Sequence, residues 1–110
     1  MPTTYKILGQ SNPSATTETE LYATPSLTSS VVSTIAIANQ AASAATYRIA
    51  VRPAADASTT AKHWIVYGAT VGANDTTMLT LGITLAASDT IRVYASTATL
   101  SFSVFGSELA

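Results

Sequence analysis

His63 is the only histidine of the chain, and it is the residue best suited to acid–base chemistry or zinc binding near neutral pH. A zinc site would need further ligands, and the chain has no cysteine and no second histidine. A hydrolytic triad would add a hydroxyl and a carboxylate, but serine is abundant and no Gly-x-Ser-x-Gly elbow occurs. We therefore interpret His63 as a strand histidine beside Trp64, at a surface or an interface.

The carboxylates offer little more chemistry. Glu18 and Glu20 are two residues apart in a short predicted strand, so they could project from one face. Paired carboxylates hydrolyse glycosides when held about 5–9 Å apart across a sugar, but only Tyr22 is near enough to line such a cleft. We interpret the pair as solvated edge charges, and Asp75 and Asp89 as turn residues that bind local backbone amides. We predict no catalytic residue, no metal site and no cofactor, and hence no enzyme.

The composition favours a part that packs against other parts. Ala, Ser and Thr make up close to half of the chain, charged residues are 10%, and the net charge is −1. The five Lys and Arg residues are scattered, whereas nucleic-acid binding needs clustered cations. No run approaches the roughly 20 apolar residues of a membrane span. So few charges are poor for keeping a concentrated protein monomeric, which favours a subunit of an assembly.

Alternating patterns recur every ten to fifteen residues and predict an all-β fold, an antiparallel β-sandwich of seven to eight strands. A jelly-roll topology is one option, because strand order cannot be deduced from one sequence. The segment 1–19 is either an extended N-terminal arm or the first strand, and 20–110 forms the sandwich domain. An arm could add a strand to the sheet edge of a neighbour.

Individual strands carry more specific expectations. The strongest covers 30–39, with Val31, Ile35 and Ile37 on one face and Val32 opposite, and we expect both faces to be covered. Other strands place Tyr47, Ile49 and Val51 inside with Arg48 and Arg52 outside, and Leu100, Phe102 and Val104 inside up to an end at Gly106. In the strand 62–67, His63, Ile65 and Tyr67 lie opposite Trp64 and Val66. The aromatic residues are spread one or two per strand, which leaves core, contact and carbohydrate-platform roles open.

Three stretches together resemble small β-sandwich virion proteins of tailed bacteriophages, especially those infecting cyanobacteria and other aquatic bacteria. The first is Glu-Leu-Tyr-Ala-Thr-Pro at 20–25 running into Ser-Val-Val-Ser-Thr-Ile at 30–35. The second is Ala-Ala-Thr-Tyr-Arg-Ile-Ala-Val-Arg-Pro at 44–53. The third begins Ala-Asn-Asp-Thr-Thr at 73 and continues through 85 to Val-Tyr-Ala-Ser at 93–96. The resemblance implies a structural component of the particle and brings no catalytic residues.

The expected function is therefore a capsid decoration, or cement, protein that binds the head shell as a homotrimer. Its partners would be copies of itself and the major capsid protein or other virion proteins, with no nucleic acid and no membrane. It would be made in the host cytoplasm and located in the virion. A tail, baseplate or fibre component is the alternative, and a carbohydrate-binding module that uses Trp64 is an alternative from another class. The candidate contact residues are Tyr5, Ile7, Leu8, Arg48, Arg52, Trp64 and Arg92.

Overall fold

The computed structural model describes residues 3–110, and nearly all of its regular structure is β-strand. Two antiparallel sheets pack face to face, so the predicted β-sandwich is confirmed. This described range contains nine strands where seven or eight were predicted, together with one short 3-10 helix, Ala61–His63. The strands are β1 Thr3–Ser11, β2 Thr19–Ala23, β3 Ser29–Asn39, β4 Ala45–Arg52, β5 Trp64–Val71, β6 Thr76–Leu79, β7 Ile83–Leu85, β8 Thr90–Ala95 and β9 Leu100–Leu109.

The strand order is that of a jelly roll. Sheet A has the order β1-β9-β3-β6, with the short β7 also paired to β3, and sheet B has the order β2-β8-β4-β5. When β7 is set aside, the remaining eight strands change sheet at every connection except β4 to β5, which pair as a hairpin within sheet B, as in a jelly roll. The topology that the sequence left open is thereby decided.

The core lies between the sheets and follows the predicted alternation in the regular strands. In β9 the fully buried residues are Leu100, Phe102 and Val104. In β4, Ile49 is fully buried and Tyr47 is almost completely buried. The rings of Tyr47 and Phe102 meet edge to face, with centroids 6.2 Å apart. Each such large side chain contributes about 1.5–3 kcal/mol through removal of apolar surface from water.

Strand β3 is where the sequence predicted the strongest strand, but the predicted faces were wrong. A bulge between Val32 and Thr34 adds one residue, so that Val32 before it and Ile35 and Ile37 after it all face the core. Val31 is 41% exposed on the outer face. The expectation that both faces of this strand are covered is also wrong, because no described element lies over its outer face.

Strand β5 differs from its prediction for the same reason. His63 ends the 3-10 helix, and the strand begins at Trp64. Register shifts at Ile65 and at Gly68, whose φ is +81°, put two bulges into β5. As a result Trp64 and Tyr67 share the outer face of sheet B, although strict alternation placed them on opposite faces.

The N-terminal strand belongs to its own sheet. β1 pairs with β9 from Thr3 to Ser11, which is the second of the two alternatives for this segment. The predicted end of the last strand at Gly106 was wrong, since β9 continues to Leu109. A β-carbon at Gly106 would overlap the carbonyl oxygen of Val31, so glycine permits the close approach of β9 to β3 at the bulge.

Candidate interaction surfaces

The outer face of sheet A, named here the uncharged face, has no charged residue at the outward-pointing strand positions that the structure describes; Lys6 borders this face and is paired with Glu108 at 3.0 Å. Pairing and burial place the small outward residues of β1, β3, β6 and β9, which are mostly Ser, Thr and Ala, on this face. Its larger side chains include Tyr5, Ile7, Val31, Met78 and Phe105. Tyr5 is 83% exposed and Met78 is 64% exposed.

This composition is typical of surfaces that are covered by protein. The centre of a protein interface is depleted in charged residues and enriched in aromatic residues and Met. Hydroxyl groups cost far less to desolvate than charges do, so a partner can cover this face without leaving unpaired charges behind. The outer face of an antiparallel sheet that stays in water ordinarily carries more polar side chains.

The outer face of sheet B carries aromatic and charged groups in direct contact. The Arg48 guanidinium lies 4.1 Å from the ring centroid of Tyr67 and 4.3 Å from that of Tyr94. Trp64 packs edge to face on Tyr67, with centroids 5.7 Å apart, and its ring lies 6.0 Å from the guanidinium. We call Arg48, Trp64, Tyr67 and Tyr94 the Arg48 cluster. The cation is held by ring faces, and no carboxylate in the described part of the chain pairs with it.

Beside this cluster, Glu18 holds three partners. Its Oε2 accepts hydrogen bonds from Nε of Arg92 and from the Thr59 hydroxyl at 2.7 Å, and it lies 3.9 Å from Nη1 of Arg52. Burial opposes ionisation of Glu18, but these hydrogen bonds and the charges of Arg92 and Arg52 outweigh it and hold the pKa below its ordinary value. Arg92 also reaches Glu20 at 3.6 Å. The carboxylate therefore ties β8, β4 and the loop that carries Thr59 together.

His63 makes a second set of hydrogen bonds within the same loop. Its Nδ1 accepts a hydrogen bond from the backbone N–H of Thr60 at 2.8 Å, which assigns the ring proton to Nε2. Nε2 then donates to Asp56 at 2.7 Å, and this hydrogen bond together with nearby Lys62 lowers the pKa of the Asp56 carboxyl, against the effect of desolvation. The interpretation of His63 as a surface strand residue was wrong, because it is 4% exposed and lies in the 3-10 helix.

The structure separates the predicted contact residues into three groups. Tyr5 and Ile7 lie exposed on the uncharged face. Leu8 conflicts with its predicted role, because it sits at a bulge in β1 and is only 9% exposed in the core. The remaining candidates share the outer face of sheet B, on the opposite side of the sandwich: Arg48, Arg52, Trp64 and Arg92.

The residues with catalytic potential are occupied by structural hydrogen bonds. Glu20 is half exposed on the edge strand β2, as predicted for a solvated edge charge, but Glu18 is partly buried, and both carboxylates are paired with Arg92. The predicted roles of the turn aspartates are confirmed: Asp75 accepts from the Thr76 amide, and Asp89 accepts from the amides of Ala54 and Ala86. Residues 3–110 contain no group of three or more potential metal ligands from His, Cys, Asp and Glu.

One buried polar group was missed by the sequence analysis. The Tyr22 hydroxyl lies 2.6 Å from the Ser30 hydroxyl and donates to Glu108, which in turn binds Lys6 at 3.0 Å. Burial raises the pKa of Tyr22, and the neighbouring Glu108 carboxylate adds to this effect. The hydrogen bonds from Tyr22 and Lys6 hold the pKa of Glu108 below its ordinary value. Only the register of the two sheets brings these four residues together.

Comparison with known proteins adds no relative, since no protein-family model and no curated protein matches the chain. No helix in the described residues 3–110 has the length and apolar character needed to cross a membrane.

Proposed function

We propose that this protein is a structural subunit of a tailed-bacteriophage particle, a capsid decoration protein that binds the head shell as a homotrimer. The uncharged face is the observation that carries the proposal. A sheet of this extent with no charged residue at its described outward-pointing positions suits burial against a copy of the chain or against a capsid protein.

The fold gives further support by analogy. Jelly rolls occur in viral capsid proteins and in lectins, so the architecture is compatible with a virion part without requiring one. The resemblance of the stretches at 20–35, 44–53 and 73–96 to phage virion proteins points to the same class. In this role each contact is modest, and linked contacts on a trimer act at a high effective concentration.

The oligomeric state of the full chain tests the self-association. We expect wild-type protein to show the mass of a trimer in light scattering at micromolar concentration. Ser103, in the middle of the uncharged face, is the place to introduce a charge, because its side chain is partly exposed and pairs opposite Ala36. Ser103→Glu should lower the trimer affinity at least about tenfold, since a buried unpaired charge costs several kcal/mol.

Thr46→Glu is the matched control, because Thr46 is exposed on β4 of the other sheet. It should leave the trimer intact, and circular dichroism should show both variants folded. A wild-type protein that is monomeric at these concentrations, or a trimer that tolerates Ser103→Glu, would contradict self-association through this face.

The number of copies per particle tests the location. A decoration protein should be present in hundreds of copies, measured by quantitative mass spectrometry of purified virions and located on the head by electron microscopy. A handful of copies per particle would assign it to the tail, baseplate or fibre instead.

A further inference from the structure

An open groove beside the Arg48 cluster has a volume in the range of small-molecule sites. Thr59, Thr60, Ala61, Trp64 and Tyr67 line a depression of about 550 Å³. Ligand sites commonly have volumes of about 300–1,000 Å³ and combine aromatic walls with a few placed polar groups. The groove lies on sheet B, opposite the uncharged face, so a ligand here leaves the proposed assembly contact free.

The loop that forms one wall of this groove is held in place by two separate sets of hydrogen bonds. At one point Thr59 donates to Glu18 and accepts from Nη1 of Arg52 at 3.1 Å. At the other, the buried His63 side chain joins the Thr60 amide to Asp56. A wall that is rigid before binding loses little conformational entropy when a ligand arrives, which favours a binding role.

The groove offers the chemistry that recognises a sugar. Trp64 and Tyr67 stand at 75° to each other and form an aromatic corner, with Tyr67 64% exposed. The electron-rich faces of such rings attract the weakly positive C–H groups of a pyranose ring. Thr60 lines the same wall, and a threonine hydroxyl can both donate to and accept from a sugar hydroxyl.

The charge balance identifies the kind of sugar. On the outer face of sheet B three arginines accompany two glutamates, and both glutamates are engaged by Arg92. Arg48 is therefore the cation left without a carboxylate among the described residues, and it lies against Trp64 and Tyr67, which line the groove. A guanidinium held between rings keeps its N–H edge available for a carboxylate.

We infer that this groove binds an acidic carbohydrate, with the sugar ring against Trp64 and Tyr67 and its carboxylate at Arg48. The occupant is a uronate- or sialate-bearing glycan, whose carboxylate supplies the charge that Arg48 lacks and whose ring matches the aromatic corner.

The test is binding of the full chain to an immobilised array of neutral oligosaccharides and their uronate- and sialate-containing counterparts. Titration with oligogalacturonate and with its methyl ester then measures how much the carboxylate charge contributes to the affinity. We expect the acid to bind at least about tenfold more tightly than the ester, because one charge-assisted bidentate pair distinguishes them.

Three variants locate the interaction. Tyr67→Ala changes an exposed side chain and should weaken acid and ester together, while Arg48→Gln should weaken only the acid, to the level of the ester. Lys62→Gln removes an equally charged neighbour that is 70% exposed and should leave both affinities unchanged within about twofold. Binding by Ser103→Glu should equal that of wild type, which separates this site from the assembly face.

Three results would overturn the inference. They are an absence of binding to every glycan on the array, equal affinity for acid and ester, and binding that survives both Tyr67→Ala and Arg48→Gln. Thermal melting of each variant, with the wild-type fold retained, ensures that a loss of binding reports on the groove.

Discussion

The two outer faces of this sandwich are built from the same kind of antiparallel strand but differ in the charge and type of their outward side chains. Sheet A presents small hydroxyl-bearing and apolar residues with no charge at its described outward-pointing positions, and Tyr5 and Met78 stand out from it. Sheet B concentrates three arginines, two glutamates and three aromatic rings, nearly all in contact with one another. The comparison indicates that one face is suited to being covered by protein and the other to holding a preformed polar site.

The two faces also depend on different interactions for their shape. On sheet A the strand backbones approach closely at the bulge of β3, where Gly106 is required. On sheet B the shape depends on side chains, above all on the Glu18 carboxylate and its partners from three segments. Substitutions that remove one kind of interaction at a time therefore separate the two faces.

The largest loss of stability is expected from Gly106→Ala in sheet A. Its β-carbon would overlap the Val31 carbonyl oxygen, so β9 must move away from β3. The free energy of unfolding measured in urea should fall by about 3 kcal/mol, as for an overpacked interior site. Gly72→Ala is the control, because its β-carbon would meet only Asp75 at 3.7 Å, and it should change the stability by no more than about 0.5 kcal/mol. Equal effects of the two substitutions would refute the close approach.

A smaller loss of stability is expected from Glu18→Gln in sheet B. The change removes the charge shared by Arg92, Arg52 and Thr59 and should lower the free energy of unfolding by about 2 kcal/mol. Glu20 is the matched control: it is 50% exposed and 3.6 Å from Arg92, so Glu20→Gln should cost at most about 0.5 kcal/mol. If both variants unfold at the same urea concentration, Glu18 is not the central residue of this network.

The smallest expected change is the loss of stability at low pH. The folded-state pKa values of Glu18, Asp56 and Glu108 all lie below their ordinary values, so these groups stabilise the fold above the ordinary pKa of a carboxyl group. Their contribution should be fully present at pH 7 and should decline as the pH falls from about 5 toward 3, because the unfolded chain takes up protons first. Urea titrations at pH 7, 5, 4 and 3 measure this decline.

The same titrations on Glu18→Gln provide the control for the pH effect. This variant lacks one of the three depressed carboxyl pKa values, so its stability should fall less steeply below pH 5 than that of wild type. A parallel decline in the two proteins would show that Glu18 titrates alike in the folded and unfolded states.

The alternation of the sequence predicted the core residues correctly where strands are regular. In β4 and β9 the period-two pattern alone assigned Tyr47, Ile49, Phe102 and Val104 to the core, because each side chain alternates strictly with the next. It failed where the alternation is broken. Nothing local in Ser-Val-Val-Ser-Thr-Ile marks the bulge in β3, which arises from the pairing of this strand with β9.

The candidate sites were foreseen only in part. Arg48, Arg52, Trp64 and Arg92 were selected because they are polar or aromatic residues on predicted strands, but their common surface was not foreseen. Leu8 was selected wrongly, since it follows the outward Ile7 in β1 and therefore points into the core. The burial of His63 also had no sequence signal, because its partner Asp56 lies seven residues away across a loop of irregular structure.

By itself, the sequence determined the all-β class, the core residues of the unbulged strands and the local hydrogen bonds of the turn aspartates, since each depends on alternation or on neighbours in the chain. Only the tertiary structure decided the jelly-roll order, the outer faces of β3 and β5, and the meeting of Arg48 with Tyr67 and Tyr94. Those features depend on register between strands that are distant in sequence, and one inserted residue in a strand moves every following side chain to the opposite face.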